Sequence, residues 1–362
     1  MSALPQFAGA RDDIALVLLG NGVVGGALLQ LLATPAAAGV RLVGVANSTR
    51  QVIDVRGIVA ESVAASLPAA PCHRDDNELL AALDACTAAR RVIVDATAST
   101  DTAARHADWL AAGYDVVTAN KDAAAGSEKL WSGLRGASIR GNTSYGDAAT
   151  VGAGLPVLSS VRRLRACGDR LLALEGVFSG SLSWLFSQYD GTRPFSALLR
   201  EARAFGYTEP DPRVDLGGAD VARKLVILAR AAGYAIDVDD VVVESLVPDS
   251  LAEIDLESFL RRAEELDAPI AARLAFASAQ GRVLRHLAAL DENGNARVGL
   301  VEVETTHPAA RLGGTDNLFA LTTQRYRARP LVIQGPGAGA EVTAQALLGD
   351  LLALRFERNA VA

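Results

Sequence analysis

A glycine-rich turn directly follows the first apolar run of the chain, and it constrains the fold more than any other feature. The run at residues 14–19 (IALVLL) has the composition of a β-strand, and residues 26–33 have that of a helix. The glycines between them have the spacing GxGxxG, which suits a tight turn, close approach of backbone to a pyrophosphate, and close helix–strand contact. We interpret this strand–turn–helix context as a dinucleotide-binding site rather than a glycine-rich turn without a ligand. The predicted cofactor-binding residues of the turn are Gly20, Asn21, Gly22, Val23, Val24 and Gly25.

Further apolar segments have strand composition, and helical stretches separate them. These predicted strands are residues 41–46, 91–95 and 115–118. The alternation of strand and helix indicates a parallel sheet, in which ligands bind at the carboxyl ends of the strands. Thr97, Ser99 and Lys121 fall at those ends, so we predict that they contact the cofactor. Thr97 and Ser99 can also cap the helix that follows, and the two roles are compatible.

The segment after the second strand bears on the choice of cofactor. A site selective for NAD places an acidic side chain about 20 residues beyond the glycines, on the ribose 2′-hydroxyl. This chain has Asn47, Ser48, Thr49 and Arg50 there. Because no acid repels a 2′-phosphate and Arg50 can pair with one, Asn47 and Arg50 are predicted to favour NADP, with NAD as a second option. The alternative is that Arg50 is an ordinary solvated loop charge.

Composition narrows the class of protein. Half of the 362 residues are hydrophobic, acids exceed bases by seven, and the sequence pI is near 5.3. An acidic chain is not expected to bind nucleic acid, whose phosphates need a basic face. No apolar run reaches the ~18 residues of a membrane span, and the N-terminus lacks the pattern of a signal peptide. The few cysteines and histidines indicate neither disulfides nor a transition-metal site. We therefore expect a soluble, cytoplasmic, two-domain protein with no membrane partner.

Residues 204–224 (AFGYTEPDPRVDLGGADVARK) form the most unusual segment of the chain. Pro210 and Pro212 fix φ and remove two backbone donors, so we predict that residues 207–213 form neither ordinary helix nor central strand. After two glycines a helix is predicted, on which Asp220 and Lys224 are four residues apart and face the same way. An acid-rich rigid loop followed by a carboxylate and an amine suits an amino-acid-like ligand. The alternative is a solvated loop followed by an ordinary helical ion pair.

Two other turns are candidates for ligand contact. Apolar segments flank residues 179–181 (SGS), and packing accounts for the neighbouring aromatic residues but not for this turn. Near the end of the chain, residues 334–341 (QGPGAGAE) lead into a final predicted helix at 342–354. We interpret this glycine-rich turn as a second loop that faces the cofactor through Gly339 and Glu341, although close packing would also explain its glycines.

Together these motifs resemble the homoserine dehydrogenases, in particular the dehydrogenase half of bifunctional aspartokinase–homoserine dehydrogenases. The resemblance extends from residue 14 to residue 354, and the segment at 206–225 is specific by itself. The matching segments, in the order of the family, are GNGVVGG (20–26), GVANS (44–48), VDATAS (94–99), VVTANK (116–121), TVGAGLP (150–156), GVFSGSLSWLF (176–186), GYTEPDPRVDLGGADVARKL (206–225) and GPGAGAEVTA (335–344).

The resemblance implies an α/β fold, with a Rossmann-like nucleotide-binding domain and a second α+β domain, built on a mixed sheet, for substrate binding and dimerisation. We place the domains at residues 1–147 and 148–333, with 334–362 as a C-terminal helix that returns to the nucleotide-binding domain. The activity implied is the reversible NAD(P)-dependent reduction of L-aspartate 4-semialdehyde to L-homoserine, a step of threonine and methionine biosynthesis. The assembly implied is a homodimer.

The resemblance also assigns roles to residues. Lys224 matches the family's proton donor and Lys121 lies beside the reacting hydroxyl, while Thr97 and Gly339 line the cofactor. The residues predicted to bind the substrate are Glu209, Asp215, Asp220, Gly180, Ser181 and Tyr207. Two lysines brought close would lower each other's pKa, whereas Asp220 would raise that of Lys224. The sequence leaves open which lysine donates the proton.

The family also has a monovalent cation site, for an ion such as Na⁺, formed by backbone carbonyls that match Val151, Ala153 and Leu155. It includes a carboxylate at the position of Ala148. Here the nearest acid is Asp147, which either replaces that carboxylate or leaves the site weakened. No aspartokinase precedes the dehydrogenase segment and no ACT domain follows it, so we expect a single-function enzyme with little inhibition by threonine.

Two alternative functions are weighed against this one. A related amino-acid dehydrogenase, acting on another semialdehyde or keto acid, would share the nucleotide-binding half but has no reason to carry the segment at 206–225. A regulator that senses NADP without turnover has no use for a proton donor, which the lysines of the motifs supply.

Overall fold

The computed structural model describes residues 14–355. The chain divides into two compact units: the first contains residues up to Thr150 and from Gly339 onward, and the second contains residues 151–338. The domain boundaries at 147 and 334 stay predictions, and the parts of those domains at residues 1–13 and 356–362 lie outside the described residues.

The first unit is built on a parallel sheet. Its strands are β1 (Ile14–Leu19), β2 (Val40–Ala46), β3 (Gln51–Ile53), β4 (Arg90–Asp95), β5 (Asp115–Thr118) and β6 (Tyr145–Gly146). They lie in the order β3-β2-β1-β4-β5-β6, and all neighbours are parallel except β2 and β3. This arrangement confirms the predicted Rossmann-like sheet.

Helices connect these strands and cover both faces of the sheet. They are α1 (Val23–Leu32), α2 (Val63–Ala69), α3 (Asp76–Asp84), α4 (Thr100–Ala104), α5 (His106–Ala111), α6 (Asp122–Ala125) and α7 (Glu128–Gly141). Alternate residues of β1 belong to two different apolar clusters, with Leu16 and Leu18 on one face and Ala15 and Val17 on the other. A strand buried on both faces must be apolar throughout, which is why the run at 14–19 does not alternate with polar residues.

The second unit is α+β, with a mixed sheet. Its helices are α8 (Val157–Ala166), α9 (Gly180–Gln188), α10 (Phe195–Ala204), α11 (Arg213–Leu216), α12 (Ala219–Ala232), α13 (Asp249–Ala252), α14 (Leu256–Arg262) and α15 (Asp267–Ala279). Its strands are β7 (Leu171–Val177), β8 (Val241–Val243), β9 (Arg282–Asp291), β10 (Ala296–Glu304), β11 (Asp316–Thr323) and β12 (Leu331–Pro336). The order is β12-β11-β7-β9-β10-β8, antiparallel except for the parallel pair of β8 and β10. The prediction of a mixed sheet is confirmed.

The final helix, α16 (Ala340–Ala353), belongs to the first unit. Its residues Leu347 and Leu351 are fully buried in the same apolar cluster as Leu28 of α1. This packing explains why the helix is apolar around much of its circumference. Among the helices of residues 14–355, none is long and apolar enough to cross a membrane.

A buried histidine of the second unit links stability to pH. His286 on β9 is 2% exposed, and its Nε2 has no hydrogen-bond partner among the described residues. Burial lowers the pKa of His286 to about 4, because the charged imidazolium is poorly solvated there. The unfolded chain therefore binds the proton more strongly than the folded one. The contribution of neutral His286 to the free energy of unfolding is fully present above the ordinary pKa of histidine, and it is lost as the pH falls from there toward 4.

We expect His286 to reduce the free energy of unfolding by about 3 kcal/mol between pH 7 and pH 4. Replacement by an uncharged residue, His286→Gln, removes this acid-linked loss while the carboxylates of the chain continue to titrate. Urea unfolding of both proteins at pH 7 and pH 4.5 measures the difference. Parallel losses in the two proteins would show that His286 is not its source.

Candidate active site

The glycine-rich turn of the first unit has the geometry of a nucleotide-binding loop. Gly20 has a φ of +91°, and a Cβ there would lie 2.8 Å from the carbonyl oxygen of Ala96. Gly22 is the N-cap of α1, and a Cβ at this position would meet no atom within 4 Å, so its backbone faces open space. A Cβ on Gly25 would lie 1.9 Å from the carbonyl oxygen of Gly20. A dinucleotide fits this cradle, because bare backbone amides at a helix N-terminus suit phosphate.

A cleft of about 590 Å³ adjoins this turn. Asn21, Gly22 and Val23 line it together with Glu341, which lies in the first turn of α16. Gly339 is the N-cap of that helix, with a φ of +128°. The structure therefore brings Glu341 to the same cleft as the first glycine-rich turn, within the first unit, whereas Gly339 is not among the residues that line it.

Two arginines lie at the turn after β2, Arg50 on the turn itself and Arg74 from a later segment. The side chain of Asn47 accepts hydrogen bonds from the backbone amides of Thr49 (2.9 Å) and Arg50 (2.7 Å), which fixes the turn. Arg50 donates to the carbonyl of Ala70. Arg74 donates to the carbonyl of Asn47 over 3.0 Å. Sequence reasoning missed Arg74, because it lies 24 residues beyond Arg50 and only the fold places it beside this turn.

The carboxyl ends of β4 and β5 meet at a buried carboxylate, that of Asp95. Its Oδ1 accepts from the amide (2.8 Å) and hydroxyl (2.6 Å) of Thr97, and its Oδ2 lies 3.0 Å from both Asn120 Nδ2 and His106 Nε2. Ser99 caps α4 by accepting from the amide of Thr102. The capping role considered for Ser99 is therefore present. Asp95 and His106 were missed, although a charged residue ending an apolar strand signals a buried partner.

In the second unit, Lys224 is held at the end of β7. Its ammonium donates to the carbonyl of Phe178 over 2.8 Å and lies 2.8 Å from Asp220 Oδ2. The side chain of Lys224 is 13% exposed, and that of Asp220 is 41% exposed. The predicted contact of Asp220 with Lys224 is confirmed, and the lysine also has a buried carbonyl partner that the sequence did not reveal.

Asp215 on α11 ties the proline-containing loop to the SGS turn. Its Oδ1 accepts from the hydroxyl of Ser181 (2.6 Å), and its Oδ2 accepts from the backbone amide of Glu209 (2.8 Å). Burial raises the pKa of Asp215, although the hydrogen bonds from Ser181 and Glu209 oppose that rise. The carboxyl group therefore sits in a partly desolvated place where a cationic ligand would stabilise its charged form.

The remaining residues predicted to bind the substrate lie in the same unit as Asp215. Gly180 and Ser181 form the first turn of α9, and a Cβ on Gly180 would lie 2.9 Å from the carbonyl oxygen of Thr315. Tyr207 is half-exposed, and its ring lies 5.6 Å from that of Trp184. The side chain of Glu209 is exposed. The structure thus brings the predicted acids, the SGS turn and Lys224 together within one unit.

The segment of Val151, Ala153 and Leu155 turns sharply at the start of the second unit. Gly152 has a φ of +75° and Ala153 a φ of +51°. The carbonyl of Leu155 accepts from the amide of Val157 over 2.8 Å. Backbone carbonyls are hard oxygen ligands of the type that suits Na⁺, so the donor set fits the cation expected from the resemblance.

Asp147, in the first unit, is fully buried, and its backbone carbonyl accepts from the amide and hydroxyl of Thr150. The amide of Ala148 donates to Asp350 Oδ2 over 2.9 Å. The role of Asp147 as a replacement for the carboxylate missing at position 148 stays a prediction. Elsewhere in the described residues, His73, Asp75 and Glu78 place potential metal ligands within 4.8 Å of one another.

Family models match both units. The model described as homoserine dehydrogenase matches residues 156–352, and the model described as the NAD-binding domain of homoserine dehydrogenase matches residues 20–145. Between them these matches cover most of the chain.

Individual proteins agree with the family models. The chain is 41% identical to bifunctional aspartokinase/homoserine dehydrogenase 2 of Escherichia coli over 94% of the chain and 43% of that protein. It is 38% identical to homoserine dehydrogenase of Schizosaccharomyces pombe, covering 74% of each. A hyperthermophilic archaeal homoserine dehydrogenase solved with NADPH superposes with a TM-score of 0.71 at 19% identity, covering 94% of this chain and 98% of that one. The chain spans about two fifths of the length of the bifunctional relatives it matches.

Proposed function

The chain belongs to the homoserine dehydrogenase family, and from that premise we propose that it catalyses the reversible NAD(P)-dependent interconversion of L-aspartate 4-semialdehyde and L-homoserine. The observation that carries the proposal is the cluster of Lys224, Asp215 and Ser181, in which a lysine and a partly desolvated carboxylate lie in one unit. Family membership gives the reaction class, and this cluster gives the chemistry for an amino-acid substrate.

The nucleotide, when bound, supplies or accepts the hydride. The chain must then deliver a proton to the oxygen that becomes the hydroxyl, or remove it in the reverse direction. We assign this role to the Lys224 ammonium, which Phe178 and Asp220 hold in place. Lys121 is assigned, on the family resemblance, to a place beside the reacting hydroxyl. Lys224 is preferred as the donor because the carbonyl of Phe178 and the carboxylate of Asp220 fix its ammonium.

The acids of the second unit would bind the substrate's ammonium group. Asp215 is preorganised by Ser181 and by the amide of Glu209, so that ammonium binding requires no rearrangement of its carboxylate. The exposed side chain of Glu209 supplies a second negative charge at the mouth of this cluster. An uncharged hydroxy-aldehyde would leave these acids without a counterion, which selects for an amino acid.

A direct assay tests the proposed function. The purified protein, incubated with homoserine and NADP, should produce NADPH, measured as a rise in absorbance at the reduced nicotinamide band. A panel of other amino alcohols and hydroxy acids under the same conditions measures the selectivity. Absence of turnover with homoserine, in a protein that binds NADPH, would contradict the proposal and favour a nucleotide sensor.

For the cofactor we propose NADP in preference to NAD. The support is the Arg50 guanidinium, which the carbonyl of Ala70 holds beside the turn after β2. Arg74 also lies beside this turn, although the Asp76 carboxylate already pairs with it. Guanidinium groups recognise phosphate through several parallel hydrogen bonds, whereas a bare ribose hydroxyl gains little from them. The archaeal relative solved with NADPH has the same fold and is consistent with this preference.

We expect Arg50→Ala to raise the KM for NADPH about 10-fold or more, since a charged hydrogen bond is lost. The KM for NADH should change little. Arg56→Ala is the matched control, because the Arg56 side chain is 88% exposed in the same unit and pairs with Asp54. Initial rates with both cofactors measure the effect. Equal losses with NADPH and NADH, or a wild-type preference for NAD, would contradict the assignment.

The cation site and the homodimer are also part of the proposal. The carbonyls of Val151, Ala153 and Leu155 would bind Na⁺, because carbonyl oxygens are hard ligands of the type that suits this ion.

For the dimer, the support is that β8 lies at an edge of its sheet and that Val242 on this strand is 73% exposed. Exposed apolar residues on an edge strand favour a partner, here a second copy. Light scattering should give about twice the 37.6 kDa chain mass, and Val242→Lys should shift that mass toward the monomer.

A further inference from the structure

Asn120 connects the buried carboxylate of Asp95 to the backbone around Lys121. Its backbone amide donates to the hydroxyl of Thr118 over 2.8 Å, and its side-chain oxygen accepts from the amide of Asp122 over 3.0 Å. The backbone amide and the side chain of Asn120 therefore fix the residues on both sides of Lys121, namely Asn120 itself and Asp122. Asn120 is 4% exposed, so water does not compete with these bonds.

The same side chain also reaches the loop that follows β4. Asn120 Nδ2 donates to the carbonyl of Ser99 over 2.9 Å, as well as to Asp95 Oδ2. Asp95 in turn holds Thr97 through its other oxygen. A further bond, from the Thr100 hydroxyl to Asp122 Oδ2 over 2.8 Å, joins the two segments at the surface. The loop of Thr97 and Ser99 and the segment that carries Lys121 are thus attached to one buried carboxylate.

We propose that Asp95 and Asn120 are positioning residues that set the place of Lys121 relative to the loop of Thr97 and Ser99. The inference rests on the proposed function, in which both loops contact the reacting molecules. Asp95 is fully buried and Asn120 is 4% exposed, so we assign them a role through their neighbours and not through contact with those molecules. Their effect arises because a catalytic group displaced by about 1 Å can lose 10²-fold in rate.

His106 offers a matched control within the same network. Its Nε2 lies 3.0 Å from the Asp95 oxygen that also accepts from Asn120, and its Nδ1 lies 3.1 Å from the hydroxyl oxygen of Tyr145. His106 is fully buried like Asp95 but has no bond to the Lys121 segment among these contacts. His106→Gln keeps a side-chain amide that can donate to the Asp95 carboxylate, and it leaves the Asn120 attachment in place.

The position of Lys121 can be read without any activity measurement. The sequence contains only the lysines Lys121, Lys129 and Lys224, so limited acetylation followed by peptide mass spectrometry gives a separate rate for each. In Asn120→Ala the acetylation rate of Lys121, relative to that of the exposed Lys129, should change about 5-fold or more, because amine reactivity follows local charge and solvation. In His106→Gln the ratio should stay within about 2-fold of the wild type.

Turnover gives the second measurement. Asn120→Ala should lower kcat about 10²-fold while its Kd for NADPH changes less, and His106→Gln should retain most of the wild-type kcat. Thr118→Val, which removes the acceptor of the Asn120 amide at similar volume, should act in the same direction and serves if Asn120→Ala does not fold.

An unchanged Lys121 acetylation ratio in Asn120→Ala, or equal changes of this ratio in Asn120→Ala and His106→Gln, would overturn the inference. Loss of the proposed function would instead appear as absence of turnover in the wild-type protein, with the acetylation ratios still deciding the positioning role.

Discussion

Lys224→Ala lowers kcat by about 10²-fold or more, the effect expected for loss of a general acid. The Lys224 side chain is largely buried, and its ammonium bonds to the carbonyl of Phe178 and lies beside Asp220. Alanine leaves these two acceptors without their donor and provides no group that can exchange a proton with the substrate. Initial rates of homoserine oxidation, followed at the reduced nicotinamide band, measure the loss.

Two further variants separate chemistry from charge. Lys224→Arg keeps a cation for Asp220 but cannot release its proton at accessible pH, so it should remain nearly as impaired as the alanine variant. Lys129→Ala, at an exposed lysine outside the motifs, should behave like the wild type. Turnover near the wild-type level in Lys224→Ala would contradict the assignment. In that case a kcat defect in Lys121→Ala would make Lys121 the donor, whereas a selective rise in KM would assign it to substrate binding.

Gly25→Ala should abolish NADPH binding and destabilise the first unit. The added Cβ would lie 1.9 Å from the carbonyl oxygen of Gly20 and 2.9 Å from its carbonyl carbon, so the turn or the helix has to move. Both obstructing atoms are backbone, and no side chain can rotate to relieve the overlap. Overpacking of this kind costs about 1–3 kcal/mol in stability, and here it also displaces the amides that face the pyrophosphate.

Fluorescence titration with NADPH and thermal unfolding measure the two effects of Gly25→Ala. Gly133→Ala in α7 is the matched control, because a Cβ there would meet no atom within 4 Å. Alanine is the better helix former by about 0.5–1 kcal/mol, so this control should unfold at the same or a higher temperature. Normal NADPH affinity in Gly25→Ala would show that close packing of the helix against the turn does not determine binding.

The nucleotide-binding half was largely predictable from the sequence. The apolar run of β1, the glycine spacing and the alternation with helices each depend on local rules, because backbone geometry and burial on both faces restrict residue type position by position. The helix bearing Asp220 and Lys224 was predictable for the same reason, since four residues bring two side chains onto one face. At Arg213 the prediction was wrong: residues 207–213 were expected not to be helical, but α11 begins at Arg213, because Pro212 can serve as the N-cap of a helix.

Contacts between residues far apart in the sequence were not predictable in this way. The bonds of Lys224 to Phe178, of Asp215 to Ser181 and of Arg74 to Asn47 each join segments at least 27 positions apart. No periodicity encodes such pairs, because they arise only when separate elements pack into a common place.

The sequence by itself determined the two-part architecture, the family and most of the residues proposed for the site, because those properties reside in short segments with strong local constraints. The tertiary structure decided how those residues are held. It placed the Asp95 carboxylate within hydrogen-bond distance of both Thr97 and Asn120, on the loops after β4 and β5. It also placed the Lys224 ammonium within hydrogen-bond distance of the carbonyl of Phe178, just after β7. The physical reason is burial: a charge withdrawn from water must find partners, and only the packed chain determines which partners lie within hydrogen-bond distance.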